Sequence, residues 1–165
     1  VESRGLGDVY KRQGIMGCSM GGYGALRCAL THPDSYGFVG AFSSGPLFAK
    51  AGMDEIKKYG DLPDYAERFG LRLIKDFKAI YGESLELTDD AEILDMLLKV
   101  KAENKLPRIY LTCGKDDAFM KEHLLFTAAL DKIGIPYEFE KLEGAHEFQC
   151  FNEALKRAIA RFEGR

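Results

Sequence analysis

The sequence predicts an α/β fold built on a mostly parallel sheet, and three observations point to it. Short apolar runs of strand length alternate with amphipathic stretches of helix length. A glycine-flanked turn, Gly17-Cys18-Ser19-Met20-Gly21, joins the first apolar run to the first helical one. The segments between candidate strands are long enough to hold a crossover helix, which parallel pairing requires. At 165 residues, with 46% hydrophobic and 30% charged, the chain reads as one globular domain with room for a core.

Taken in order, residues 1–13 (VESRGLGDVYKRQ) carry no sustained apolar periodicity and contain several Gly and Ser breakers. They are read as a non-native or disordered segment, similar to translated adapter sequence, with a partial domain expected over 14–165. Ile15 and Met16 end a strand, and a helix follows from Met20 to about Leu30, stopped by Pro33 in THPDSY. Residues 37–44 (GFVGAFSS) form a second strand of small apolar residues. Residues 46–84 break the alternation with a cap-like insertion, helical in places and interrupted by Gly60, Pro63, Gly70 and Gly82. Its aromatics Tyr59, Tyr65, Phe69, Phe77 and Tyr81 are expected in the insertion's own core, with lining of an acyl or aryl pocket as the alternative.

Thr88 is expected to N-cap a helix over 89–104, whose Ile93, Leu94, Leu97 and Leu98 recur at helical spacing. Residues 108–114 (RIYLTCG) are the clearest strand. A helix over 118–133 follows, with an expected stripe of Phe119, Leu124, Leu125, Ala128 and Leu130 and with Gly134 as its stop. Residues 136–142 alternate as a last strand, and a helix over 148–162 closes the chain.

Charge and composition narrow the function. A net charge of −3 with no basic stripe argues against nucleic acid as a partner. No apolar run approaches the ~18 residues of a membrane span. Cys18, Cys28, Cys113 and Cys150 lack C-x-x-C spacing, which favours reduced thiols over a zinc site or a disulfide framework and makes a cytoplasmic setting the default expectation.

The chemistry concentrates in three places. In G-x-S-x-G the serine sits on a sharp strand-to-helix turn, so Ser19 is the candidate nucleophile and the Met20 N–H, at a helix N-terminus, a candidate oxyanion donor. The glycines are expected to relieve crowding around that turn. Cys18 is out of frame for the nucleophile role, since Met16 and Met20 flank it. A serine hydroxyl needs a base. His32 lies beside Pro33 and is assigned to its turn, His123 reads as an exposed or half-buried helix residue, and His146 stands in the loop EGAHEF after the last strand. Loops at the carboxyl ends of parallel strands are where such sheets place their chemistry. An acid to orient the imidazole is supplied by CGKDDAF, as Asp116 or Asp117, although aspartate here also caps helices. The order Ser19, Asp, His146 is that of α/β-hydrolases.

GCSMGGYGALRCALTHPDSYGFVGAFSSG, YLTCGKDDAFM and LEGAHEF together resemble the esterase D family of α/β-hydrolases, over nearly everything from Gly14 onward. The resemblance implies an α/β-hydrolase fold with Ser19 as nucleophile, His146 as base and Asp117 as acid. It also implies hydrolysis of small carboxylic esters or thioesters, with no metal or organic cofactor. A complete domain of that family places several strands and a second oxyanion donor before the serine, so a C-terminal portion is expected here. An acyltransferase of the same fold and a non-catalytic interaction module are the alternatives.

Overall fold

The computed structural model describes residues 13–88 and 90–164. Four parallel strands, β1 (Gln13–Cys18), β2 (Tyr36–Phe42), β3 (Arg108–Gly114) and β4 (Glu138–Leu142), form one sheet in sequential order. Helix α1 (Met20–Thr31) links β1 to β2. Between β2 and β3 lie α2 (Ala49–Tyr59), α3 (Pro63–Phe69), α4 (Leu71–Tyr81) and α5 (Ile93–Ala102). Helix α6 (Met120–Ile133) precedes β4 and α7 (Phe148–Phe162) follows it. Gln13, which the sequence places in the non-native segment, pairs with Tyr36 as the first residue of β1; residues 1–12 lie outside the described residues.

Period-two alternation splits the buried side chains of the sheet between two layers. Val39, Ala41, Ile109 and Leu111 face the larger core with α1, α5 and α6. Phe38, Phe42, Tyr110 and Leu142 face the other, where α7 approaches closely through Cys150, Ala154 and Ala158. Helix α7 is also tied to β4 by charge. Arg161 pairs with Glu138 at 2.8 Å and with Glu140, while Arg157 reaches Glu140 at 3.0 Å.

Two sequence expectations shift by rotation or register. On α6 the buried residues are His123, Phe126, Thr127 and Leu130, whereas Leu124, Leu125 and Ala128 are exposed. The helix turns this face inward because His123 serves a backbone donor in the core, as described below. Helix α5 begins at Ile93, later than expected, and Thr88 is not its cap. Here tertiary hydrogen bonds outcompete helix formation: Arg27 holds the Asp90 carboxylate at 2.7 Å and its carbonyl at 2.9 Å, and the Tyr23 hydroxyl donates to Ala91 O at 2.8 Å. Asp89 lies outside the described residues.

The segment before α5 folds on itself. Met53, Ile56, Tyr65, Ile74, Phe77 and Leu85 form a third, smaller core under α2, α3 and α4. Tyr65 and Phe77 are therefore core residues, as the sequence suggests, and Phe77 also borders the cavity beside Ser19. Tyr59 is partly exposed, the Tyr81 hydroxyl bonds to that of Tyr23, and the side chain of Phe69 is outside those described. Among the described residues, no helix is long and apolar enough to cross a membrane.

Candidate active site

All four strands are parallel, so the loops after β1, β3 and β4 open at the same end of the sheet, and these loops carry Ser19, Asp117 and His146. Ser19 turns the chain from strand to helix. It holds φ 55° and ψ −131°, a conformation a non-glycine residue adopts only under constraint from its surroundings. Its N–H donates to Phe42 O at 2.9 Å, extending the β1–β2 ladder, and its carbonyl accepts from Gly22 at 3.0 Å.

The glycines around it are not equivalent. A Cβ on Gly17 would lie 2.2 Å from Gly21 O, and one on Gly22 only 1.8 Å from Ser44 Oγ. A Cβ on Gly21 would meet no heavy atom within 4 Å. Crowding at the turn thus falls on Gly17 and Gly22, whereas the frame of the motif points to Gly17 and Gly21.

The loops after β3 and β4 are packed against each other. Lys115 N–H donates to Leu142 O at 2.8 Å and Asp116 N–H to Gly144 O at 3.0 Å, and a Cβ on Gly114 would sit 2.4 Å from Gly144 O. This closeness delivers His146 to Asp117. Nδ1 of His146 lies 2.9 Å from Asp117 Oδ2, and Nε2 lies 3.0 Å from Ser19 Oγ. Asp117 is buried, and its Oδ1 accepts the Phe119 N–H at 2.9 Å, so one carboxylate both caps the turn into α6 and meets the imidazole. Asp116 is exposed. The His146 ring is flanked by Phe119 and Phe151, with centroids 5.2 and 5.0 Å away. Met20 opens α1, where its N–H has no intrahelical acceptor, and it sits next to Ser19.

The other histidines divide. His32 ends α1, its N–H donating to Cys28 O and its carbonyl accepting from Ser35, which is the turn role expected of it. His123 is fully buried, contrary to the exposed or half-buried placement read from the sequence. Its Nε2 accepts the Ser44 N–H at 2.8 Å, which puts the proton on Nδ1, and its ring stacks on Phe139. Burial pushes it down to about 4, against the opposing pull of the Asp117 charge. Next to it, Glu122 accepts the Leu47 N–H at 2.6 Å and the Phe48 N–H at 3.4 Å. Burial raises its carboxyl above the usual range. Sequence reading passed over both contributions. The one available signal is the spacing of His123 with Phe126 and Leu130, which puts the imidazole on an apolar helix face.

A cavity of about 840 Å³ opens beside Ser19, bordered by Met20, Pro46, Phe48, Ile56, Phe77 and Phe119 among others. Cys18 also borders it, and burial pushes the Cys113 thiol, in the core behind, up to about 12.

Residues 4–162 match the model of the family described as "Putative esterase". The chain belongs to this esterase family. An acetyl esterase of Caldicellulosiruptor saccharolyticus is 32% identical over 149 residues, which are 88% of this chain and 52% of that protein. Among solved structures, the fluorophosphonate-binding serine hydrolase FphF of Staphylococcus aureus, with substrate bound, superposes with a TM-score of 0.70 at 30% identity, over 93% of this chain and 55% of its own. The S-formylglutathione hydrolase FrmB of the same organism gives 0.66 at 29%, over 93% and 56%. The fold is that of the α/β-hydrolases. This esterase-family chain spans about half the length of the relatives it matches.

Proposed function

We propose that the protein is a serine carboxylesterase in which Ser19, His146 and Asp117 act as one catalytic triad on small carboxylic esters or thioesters. The observation that carries the reading is the unbroken line of contacts from Asp117 Oδ2 through His146 to Ser19 Oγ, at 2.9 and 3.0 Å. With Nδ1–H donated to Asp117, Nε2 is left with its lone pair toward the serine hydroxyl, the tautomer a general base needs. Ser19 Oγ attacks the substrate carbonyl carbon and its proton passes to Nε2. The carbonyl oxygen becomes an oxyanion, met by the Met20 N–H and the positive end of α1. Collapse of this intermediate breaks the bond to the alcohol or thiol, which leaves with the proton from Nε2. A water then attacks the acyl-enzyme, giving its proton to His146, and as the acyl–Oγ bond breaks His146 returns that proton to Ser19 and the acid is released.

The family membership and the serine hydrolase relatives support this chemistry. A fluorophosphonate probe tests it in the intact protein: Ser19 should carry the label, and Ser19→Ala should lose both labelling and turnover of p-nitrophenyl acetate. Label on Cys18 that survives Ser19→Ala would remove Ser19 from the role. Release of a transferred ester instead of the free acid, with an alcohol present at low concentration, would point to the acyltransferase alternative.

A further inference from the structure

The cavity beside Ser19 has a chemical bias that follows from its borders. They hold Pro46, Phe48, Met53, Ile56, Phe77 and Phe119, two carboxylates in Glu55 and Glu122, and, among the described residues, no lysine, arginine or histidine. His146 is not among the bordering residues. A leaving alcohol must lie against His146 Nε2 to receive its proton, so a cavity that Ser19 borders and His146 does not is assigned to the acyl group.

One wall of this cavity is backbone held in place from α6. The segment 43–48 leaves β2 with Ser43 at φ 43°, its N–H still donating to Thr112 O at 2.7 Å, and from Ser44 onward the N–H groups named next find acceptors outside the sheet. Ser44 donates to His123, Gly45 to Ser19 O at 3.4 Å, and Leu47 and Phe48 to Glu122. Gly45, Pro46 and Phe48 all border the cavity. An apolar side chain in place of Glu122 leaves two N–H groups without their acceptor and frees the wall that Phe48 forms.

We propose, resting on the triad reading above, that Glu122 is a specificity-determining residue: it sets the acyl-cavity wall through Leu47 and Phe48, and its carboxyl, with Glu55, restricts the cavity to uncharged acyl groups. A carboxylate brought in on the acyl chain meets two acidic groups in a mainly apolar space, with no cation among the described bordering residues to pair with. Neutral chains fill the same space without that penalty.

The two parts of the role separate by substitution. Glu122→Gln keeps an acceptor oxygen and removes the acid, whereas Glu122→Leu removes both. The substrates are the p-nitrophenyl esters of acetate and hexanoate and the p-nitrophenyl half-ester of adipate, which keep the leaving group constant. In the intact protein, kcat/KM for hexanoate should exceed that for the half-adipate by at least ~10²-fold, and Glu122→Gln should lower this ratio by ~10-fold. The hexanoate-to-acetate ratio should fall by ~10-fold in Glu122→Leu, mainly through KM, and be restored toward wild type in Glu122→Gln. Fluorophosphonate labelling of Ser19 in each variant reports an assembled site. Labelled variants whose ratios do not move, or a wild type that prefers the half-adipate, would overturn this inference alone. Wild-type protein that takes no label at Ser19 would overturn the triad reading and this inference with it.

Discussion

Asp116 and Asp117 are chemically identical neighbours, and what separates them is where β3 lets each side chain go. Asp116 is exposed and meets the loop after β4 through its backbone N–H, whereas the buried Asp117 carboxylate meets the Phe119 N–H and His146 with its two oxygens. Asp117→Asn should lower turnover by ~10⁴-fold, since an amide there favours the wrong imidazole tautomer. Asp116→Asn should cost less than ~10-fold. Comparable losses measured at both positions would spread the orienting role over the pair. His123 yields a prediction about stability. Its folded-state pKa lies near 4, below the ordinary 6.5, so between those values the unfolded chain binds a proton that the folded chain does not. Stability therefore falls as pH drops from about 6.5 toward 4, by on the order of 3 kcal/mol from this residue. Above 6.5 the residue contributes no pH dependence. Urea unfolding across that range should show the decline, and His123→Gln, which retains an acceptor for Ser44 N–H, should flatten it; an unchanged slope would place the proton uptake elsewhere. Ser19 and His146 stand out in the sequence because each sits in a local frame, G-x-S-x-G and a loop after a strand. Glu122 and His123 do not, since their partners are backbone groups some 75 residues away in the chain.

At the scale of elements, β3 and α7 occupy the residues read from the sequence, 108–114 and 148–162, because apolar run, helical stripe and stop signals agree there. Agreement failed where tertiary bonds compete with local propensity: α1 side chains hold Asp90 and Ala91 out of α5, and α6 is rotated by its buried histidine. The turn at Ser19 shows the same limit at finer grain. The motif marks Gly21, but the close approach of Ser44 falls on Gly22. Gly22→Ala should destabilise the fold by roughly 1–3 kcal/mol in denaturant unfolding, as forced overpacking does, whereas Gly21→Ala should change stability by less than ~1 kcal/mol. The reverse order would mean that α1 sits differently against the β2 end than described.

Over the whole molecule, the two edges of the sheet differ. Glu138 and Glu140 on β4 are matched by Arg157 and Arg161 of α7, whereas β1 pairs on one side only among the described strands. Helix α7 presents Phe148, 80% exposed, with Leu155 and Ile159 at helical spacing. A strand edge without a partner among the described residues, together with an exposed apolar stripe, favours self-association. The 165-residue chain on its own should show a mass that rises with concentration in light scattering, and Leu155→Lys with Ile159→Lys should suppress the rise; a chain that stays monomeric throughout would contradict this. What unites the residues, elements and sheet is the claim that three loops at one sheet end assemble Ser19, His146 and Asp117 into a single catalytic unit. Groups that act as a unit lose their effects non-additively. The direct measurement is kcat/KM for p-nitrophenyl acetate in the intact protein with Ser19→Ala, with His146→Ala and with both. The account predicts that the double variant is no slower than the slower single one, whereas losses that multiply would show two residues working independently and contradict it.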